Sequence, residues 1–277
     1  MPPTPVIYLR GSLAEQAELD AAARYFRVIE QRTLIRPGEL VIPRYSAQPF
    51  NSELCKDIIE LGGTPINSHR EHSYVADLLN WYFDLGEKLT PKTWFGLDQI
   101  PRHTGAGPFV LKGATNSKKH QWLTSMYAAD VAAATEVYHR LSQDSAISSQ
   151  PIYIRQYVPL RQFKVGINGL PVTEEYRFFI LGGKVIASGF YWSEHVEELD
   201  ETFNPDAVPR SFIRDAIAAV GDKIRFWVLD VARKADGGWT VIELNDGQQA
   251  GLSTIDPDAF YGALSEALNN EAVCSPL

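Results

Sequence analysis

Three side chains with oxygen ligands lie in two apolar runs near the C-terminus and could bind one hard cation together. Asp230 ends the run Phe226-Trp-Val-Leu-Asp230. Glu243 and Asn245 lie two positions apart in the run Trp239-Thr-Val-Ile-Glu-Leu-Asn245. Because side chains at positions i and i+2 of a strand point to the same face, Glu243 and Asn245 are expected to project together. Carboxylate and amide oxygens are ligands that Mg²⁺ accepts alongside phosphates and water.

A hairpin between the two runs would add Asp230 to this group. The polar break Lys234-Ala-Asp-Gly-Gly238 contains the turn residues that such a hairpin needs. Ile242 and Leu244, which alternate with the polar side chains, are then expected to enter the core. The alternative is a hairpin whose polar residues simply face solvent.

Composition narrows the possible classes of protein. The chain has 277 residues and 45% hydrophobic content, so it can bury two or three packed units. Its net charge of -8 argues against a nucleic-acid binder with a broad basic face. Cys55 and Cys274 have no metal-ligand spacing, so neither a disulfide framework nor a zinc site is expected, and a cytoplasmic location fits best. Without a secretory signal pattern or a run of ~18 apolar residues, neither export nor membrane spanning is predicted.

Strands and helices alternate in the N-terminal third of the chain, which predicts a small open sheet. The predicted extended segments there are 6–9, 40–43 and 65–68, and the predicted helices are 14–26, 51–61 and 73–85. Asn51 or Ser52 is expected to cap the second helix. Later in the chain, strands are predicted at 108–112, 152–158, 175–180 and 184–191, and helices at 121–126, 128–141 and 211–224. The segment Leu181-Gly-Gly183 predicts a hairpin turn.

The order of several short motifs resembles that of the ATP-grasp family. These motifs are Gly62-Gly-Thr-Pro-Ile-Asn-Ser68, Pro91-Lys-Thr93, Phe109-Val-Leu-Lys112, Tyr153-Ile-Arg-Gln-Tyr-Val158, Glu175-Tyr-Arg-Phe-Phe-Ile-Leu-Gly-Gly-Lys184, and Asp230 with Glu243-Leu-Asn245. Their style is nearest to the branch that contains the ribosomal-protein glutamate ligases. The resemblance implies an α+β fold in which two α+β subdomains close on ATP behind a small open-sheet α/β domain. The implied units are a pre-ATP-grasp domain at 1–90, a central lid subdomain at 91–158, and a C-terminal subdomain with the metal site at 159–277.

The resemblance also implies roles for individual residues. The nucleotide is expected to contact Lys112, Gln156, Tyr157, Val158, Glu175 and Arg177, and Mg²⁺ is expected to bind Asp230, Glu243 and Asn245. Lys112 and Arg177 match the residues that face the phosphates and act in catalysis, and the hinge at Gln156 matches the adenine site. Glu175 matches the acidic residue near the ribose; alternatively, it forms a surface charge pair with Arg177.

Three cationic residues have two interpretations each. The loop Gly113–Lys119 matches the phosphate-covering loop of the family but contains little glycine. Lys118 and Lys119 therefore either contact phosphate or are solvated. Arg155 either lines the substrate side of the site or forms a structural ion pair, because a buried arginine needs a partner.

The helix predicted at 73–85 lacks a lysine. Many ATP-grasp enzymes carry a phosphate-binding lysine at this place in the chain. Arg70 before the helix and Lys88 after it are the possible substitutes.

The predicted function is that of an ATP- and Mg²⁺-dependent ligase that joins a carboxylate to an amine through an acyl phosphate and forms ADP. Its substrates are expected to be small molecules or peptides. The alternatives are a phosphotransferase on the same fold and an ATP-binding module without turnover. Tyr191, Trp192 and the loop Asp246–Gly251 either shape the acceptor pocket or pack as rim residues, and His69 and His72 are interpreted as loop or helix-start residues.

Overall fold

A parallel sheet forms the N-terminal part of the molecule. The computed structural model describes residues 3–10, 15–115, 117–198 and 202–274. The first four strands are β1 (Thr4–Tyr8), β2 (Arg27–Ile29), β3 (Glu39–Pro43) and β4 (Thr64–Pro65). They lie in the order β2–β1–β3–β4. The helices of this part are α1 (Gln16–Tyr25), α2 (Asn51–Glu60), α3 (His69–Ala76) and α4 (Leu78–Leu89).

Local hydrogen bonds move two predicted helix boundaries. The predicted cap of α2 is wrong, because Asn51 already lies in the helix and its buried amide oxygen is 3.1 Å from His69 Nδ1. The helix predicted at 73–85 is two helices. Ser68 forms a capping box that starts α3 at His69, and Asp77 caps α4 by accepting a hydrogen bond from Leu79 N.

The central part is a second, antiparallel sheet. Its strands are β5 (Thr93–Trp94), β6 (Phe109–Gly113), β7 (Tyr127–Ala128) and β8 (Ile152–Gln156). They lie in the order β5–β8–β6–β7. The short helix α5 (Trp122–Ser125) precedes β7, and α6 (Val131–Ser142) buries its apolar residues against the sheet.

The C-terminal part contains a short hairpin and a third sheet. The hairpin strands are β9 (Gln162–Val165) and β10 (Pro171–Thr173), and the sheet strands are β11 (Glu175–Leu181), β12 (Lys184–Phe190), β13 (Phe226–Arg233) and β14 (Trp239–Asp246). The antiparallel sheet has the order β12–β11–β13–β14. Both predicted hairpins are confirmed, and Gly182 and Gly183 adopt the positive φ angles of 54° and 75° that the tight turn needs. The helices are α7 (Arg210–Val220) and α8 (Pro257–Cys274).

The third sheet has a core on each face, and this arrangement places the charged residues. Trp227 and Leu229 pack with α4 and α7 on one face. Phe226 and Val228 pack with α8 and the N-terminal sheet on the other. Along the second face the side chains change from apolar to charged at Asp230, so the same face that joins the two sheets also carries a polar site. The domain boundaries near residues 90 and 158 remain a prediction. None of the described helices is long and apolar enough to cross a membrane.

Candidate active site

A cleft of about 140 Å³ lies between the central sheet and the C-terminal sheet. The predicted site residues that line it are Lys112, Gln156, Tyr157, Val158, Glu175 and Glu243. Arg177, Asp230 and Asn245 are not among the lining residues and instead form a polar layer beside Glu243. The volume is below the ~300 Å³ at which ligand pockets usually begin. A nucleotide would therefore require the side chains or the two sheets to move apart.

The register of β13 and β14 explains how Glu243 reaches the cleft. Asp230 lies directly opposite Glu243, as the hairpin prediction requires. The register then shifts, so that Val231 pairs with Val241 and Ile242 is the extra residue of a β-bulge. The expectation that Ile242 enters the core is therefore wrong: Ile242 is half-buried and lines the cleft, whereas Leu244 is buried as predicted.

The polar layer is held together by a buried ion pair. Arg177 Nε and Nη2 donate to the two carboxylate oxygens of Asp230, at 2.9 and 2.8 Å. Asn245 Nδ2 also donates to Asp230, at 3.1 Å. Burial opposes the charge of Arg177, but Asp230 outweighs it and raises the pKa of the guanidinium. Arg177 is thus engaged with Asp230 and with the Gly251 carbonyl, 2.8 Å away, rather than directed freely into the cleft.

Glu243 and Lys112 form an ion pair at the edge of the cleft. Burial favours the neutral form of Glu243, but Lys112 and Lys119 overcome this effect and lower its pKa to about 2. Glu243 is therefore ionised at neutral pH. Among the described residues, no three His, Cys, Asp or Glu side chains converge as a metal site. The predicted Mg²⁺ set differs from such a group because its third member is an amide.

Two cations in the cleft have no carboxylate partner among the described residues. Lys119 Nζ donates to the Tyr191 hydroxyl at 2.7 Å. Arg155 donates to the Ile242 carbonyl at 2.7 Å and to Thr90 Oγ1 at 2.6 Å. Burial lowers the pKa of Arg155 to about 10, although Glu243 nearby favours its charge. The predicted alternative of a structural ion pair for Arg155 is therefore wrong, and Lys119 is not a solvated lysine.

Polar atoms without partners also concentrate in the cleft. Of the six buried side-chain N and O atoms that lack a hydrogen bond in the described part of the chain, three belong to residues that line it. These three atoms are Arg155 Nε, Glu175 Oε1 and Trp192 Nε1. Burial, with a contribution from Asp230 and Glu243, raises the pKa of Glu175 to about 7. Because unsatisfied buried polar groups are costly, two donors and one acceptor at one cleft indicate a polar ligand.

The predicted adenine hinge borders an apolar part of the cleft. Tyr157 N–H donates to the Pro108 carbonyl at 3.0 Å, so this group is not available to a base. Val158 N–H has no hydrogen-bond partner among the described residues. The exposed Gln156 side chain lies at the mouth of the cleft, and Ile242 supplies an apolar wall. The backbone at Val158 is therefore the free donor of the hinge.

Neither proposed substitute for the missing helix lysine lies in the cleft. Arg70 and Lys88 are exposed and do not line it. Lys118 forms an ion pair with Asp144 at 2.8 Å. Lys119 is the lysine that sequence reasoning left undecided, and the only sequence signal for it was its place at the end of the phosphate loop.

Comparison with known proteins identifies the fold family. A family model described as an ATP-grasp domain, the third family of its clade, matches residues 102–264. The chain belongs to the ATP-grasp family. The resemblance and the α+β fold class predicted from the motifs are thus confirmed. ATP-grasp domain proteins are mostly ATP-dependent ligases.

Solved ATP-grasp structures resemble the whole chain. A RimK domain ATP-grasp protein from Sphaerobacter thermophilus DSM 20745 has a TM-score of 0.60 at 18% identity, over 96% of this chain and 100% of that chain. The D-cycloserine synthetase DcsG has a TM-score of 0.60 at 12% identity, over 95% of this chain and 99% of that one. The ATP-grasp ligase PsnB, complexed with precursor peptide PsnA2 and AMPPNP, has a TM-score of 0.59 at 14% identity, over 99% of both chains. At these identities the likeness extends to the fold alone. No curated protein matches the chain.

Proposed function

We propose that the protein is an ATP-dependent ligase that joins a carboxylate to an amine through an acyl phosphate. The observation that carries this proposal is the set of unpaired groups in one cleft: the cations Lys119 and Arg155, and the partnerless acceptor of Glu175. Buried cations without carboxylates are expected where a ligand brings the negative charge. Phosphate oxygens would accept from these cations, and a ribose hydroxyl would donate to Glu175.

The nucleotide is proposed to lie along the cleft with adenine at the hinge. Val158 N–H, which is free, would donate to a ring nitrogen, and the Gln156 side chain would accept from the exocyclic amine. Lys112, Lys119 and Arg155 would neutralise the phosphates, because their charges converge on the same cleft. Arg177 would support this region indirectly, by fixing Asp230.

The predicted metal ligands have the donor chemistry of a Mg²⁺ site. Asp230 and Glu243 supply carboxylates, and Asn245 supplies an amide oxygen that its hydrogen bond to Asp230 leaves available. Arg177 and Lys112 neutralise these two carboxylates, so cation binding would require the pairs to rearrange. When bound, Mg²⁺ would reduce the repulsion between the ATP phosphates and an incoming carboxylate.

In the proposed reaction, the substrate carboxylate attacks the γ-phosphorus and ADP leaves. An amine then attacks the acyl carbon, phosphate leaves, and an amide forms. The residues of the cleft bind, orient and neutralise, and no side-chain nucleophile is needed. Solved ATP-grasp structures of a D-cycloserine synthetase and of a ligase with its precursor peptide support both small molecules and peptides as substrate classes.

Coupled ADP release tests this proposal. The protein with Mg²⁺–ATP is mixed with panels of amino acids, peptides and polyamines, and any product mass is measured. An amide product with equimolar ADP and phosphate supports the ligase. Transfer of phosphate without amide formation would identify a phosphotransferase, and ATP binding without ADP release in any panel would identify a binding module.

A further inference from the structure

Lys119 and Tyr191 form a unit in the cleft that joins two distant segments of the chain. Lys119 ends the phosphate loop, and Tyr191 follows β12. The Lys119 ammonium lies 2.7 Å from the Tyr191 hydroxyl and 4.6 Å from the centre of its ring. It lies 5.6 Å from the ring of Trp192. These contacts fix the charge at the cleft without neutralising it.

Tyr191 is itself held in place from below. The guanidinium of Arg177 lies 4.8 Å from the centre of the Tyr191 ring, and Arg177 is locked on Asp230. The backbone N–H of Tyr191 donates to the Glu175 carbonyl at 2.9 Å. A chain of contacts therefore runs from the predicted metal strand through Tyr191 to Lys119.

The other lysines of this region differ from Lys119. Lys112 is paired with Glu243, and Lys118 is paired with Asp144. Helix α4, where a phosphate-binding lysine was expected, has only the exposed Lys88 in its last turn. Lys119 is thus the cleft lysine whose charge is held by aromatic and hydroxyl contacts, and such contacts orient an ammonium while leaving its charge available to an anion.

We propose that Tyr191 is a positioning residue that holds Lys119 over the phosphate region of the cleft, where Lys119 supplies the charge that α4 lacks. This inference rests on the proposed binding of ATP in the same cleft. It makes the hydroxyl of Tyr191 important for phosphate binding although that hydroxyl need not touch ATP. Its effect must then pass entirely through Lys119.

A double-mutant cycle with two ligands tests this coupling. Binding of Mg²⁺–ATP and of adenosine is measured by calorimetry for wild type, Lys119→Met, Tyr191→Phe and the double variant. Lys119→Met is expected to weaken ATP by about tenfold or more, and Tyr191→Phe by about threefold to tenfold, with adenosine unchanged. The double variant is expected to match Lys119→Met, because removal of the lysine leaves the hydroxyl nothing to position.

Two further variants separate positioning from general damage. Tyr74→Phe removes a hydroxyl that donates to Asp84 at 2.7 Å outside the cleft, and it should leave ATP affinity unchanged. Lys119→Arg keeps the charge and should retain most of the preference for ATP. Additive losses in the double variant, or equal losses for ATP and adenosine, would overturn the positioning role while leaving the proposed function intact. A folded wild type that binds no ATP would overturn both.

Discussion

Two buried arginines in different parts of the molecule differ in how their charge is satisfied. Arg44 follows β3 and pairs with Glu18 at 3.0 Å. It also donates to the carbonyls of Gly247 and Ala250, at 2.7 and 2.8 Å. Arg155 has two neutral acceptors, no carboxylate in the described part of the chain, and an Nε without a partner. The same residue type is therefore complete in one region and incomplete in the other.

The difference indicates separate roles for the two regions. Because a buried charge is costly unless it is paired and hydrogen-bonded, full internal pairing points to a structural role. Arg44 meets this condition and fixes the loop after β14 against the N-terminal sheet. Incomplete pairing in a cleft points to a ligand that completes it. Arg155 and Lys119 meet that second condition.

The largest expected effect separates these two arginines directly. Arg44→Met would leave Glu18 and two carbonyls without their partner, so the free energy of unfolding should fall by about 3–5 kcal/mol. Arg155→Met removes a charge that is already incompletely paired, so unfolding should change by less than about 1 kcal/mol while ATP affinity drops. Urea unfolding and ATP titration of both variants check this. A destabilised Arg155→Met protein with normal ATP affinity would reverse the assignment.

Turnover should depend strongly on Glu243. Glu243→Gln keeps the size of the side chain and removes the negative charge that is predicted to bind Mg²⁺, so ADP release should fall on the order of a hundredfold with the fold retained. Circular dichroism and coupled ADP release measure the two properties. Asp144→Asn, which removes a surface partner of Lys118, is the matched control and should keep its turnover. Wild-type turnover in Glu243→Gln would remove Glu243 from the metal site.

The sequence was sufficient for features that depend on local spacing. The hairpin between β13 and β14 and the approach of Asp230 to Glu243 followed from alternation and turn residues. The β-bulge at Ile242 did not, because one extra residue in a strand has no compositional signature. The position of Lys119 depends on Tyr191, 72 residues away in the chain, which periodicity cannot reveal.

Lys112 should distinguish phosphate from adenosine. It lines the cleft and pairs with Glu243, so Lys112→Met should weaken ATP by roughly tenfold or more and leave adenosine affinity unchanged. Lys118→Met provides the matched control in the same loop, since Lys118 pairs with Asp144. Equal weakening of both ligands in calorimetry would place Lys112 away from the phosphates.

Glu175 should make stability depend on pH in the unliganded protein. Its pKa rises from 4.5 to about 7 on folding, so the folded state binds a proton more tightly than the unfolded state. Its contribution is therefore full below pH 4.5 and is lost as the pH rises through 7, by about 3 kcal/mol. Glu243 has its pKa lowered to about 2 and adds no slope between pH 5 and 8. Urea unfolding at pH 5, 6, 7 and 8 should show the decline for wild type and a flatter profile for Glu175→Gln; identical profiles would contradict it.

The smallest expected effect concerns the choice of base at Gln156. In the proposed hinge, Val158 N–H binds a ring nitrogen and the neutral Gln156 oxygen accepts from the exocyclic amine of adenine. Guanine presents a carbonyl at that position, so the Gln156 acceptor would be left unpaired and ATP would be preferred over GTP. Because the Gln156 side chain is exposed, water can replace the lost bond, and the preference should be near the low end of the range for one hydrogen bond, about 1 kcal/mol or roughly fivefold in affinity.

Gln156→Ala should therefore reduce the preference for ATP by about that factor and leave the dependence on Mg²⁺ unchanged. Gln162→Ala, which changes another glutamine at the cleft, is the comparison variant. Titration of both variants and wild type with ATP and GTP measures the effect. If Gln156→Ala keeps the wild-type preference, base selection lies elsewhere in the cleft, and the contrast between a charged phosphate end and a neutral hinge would have to rest on Val158 alone.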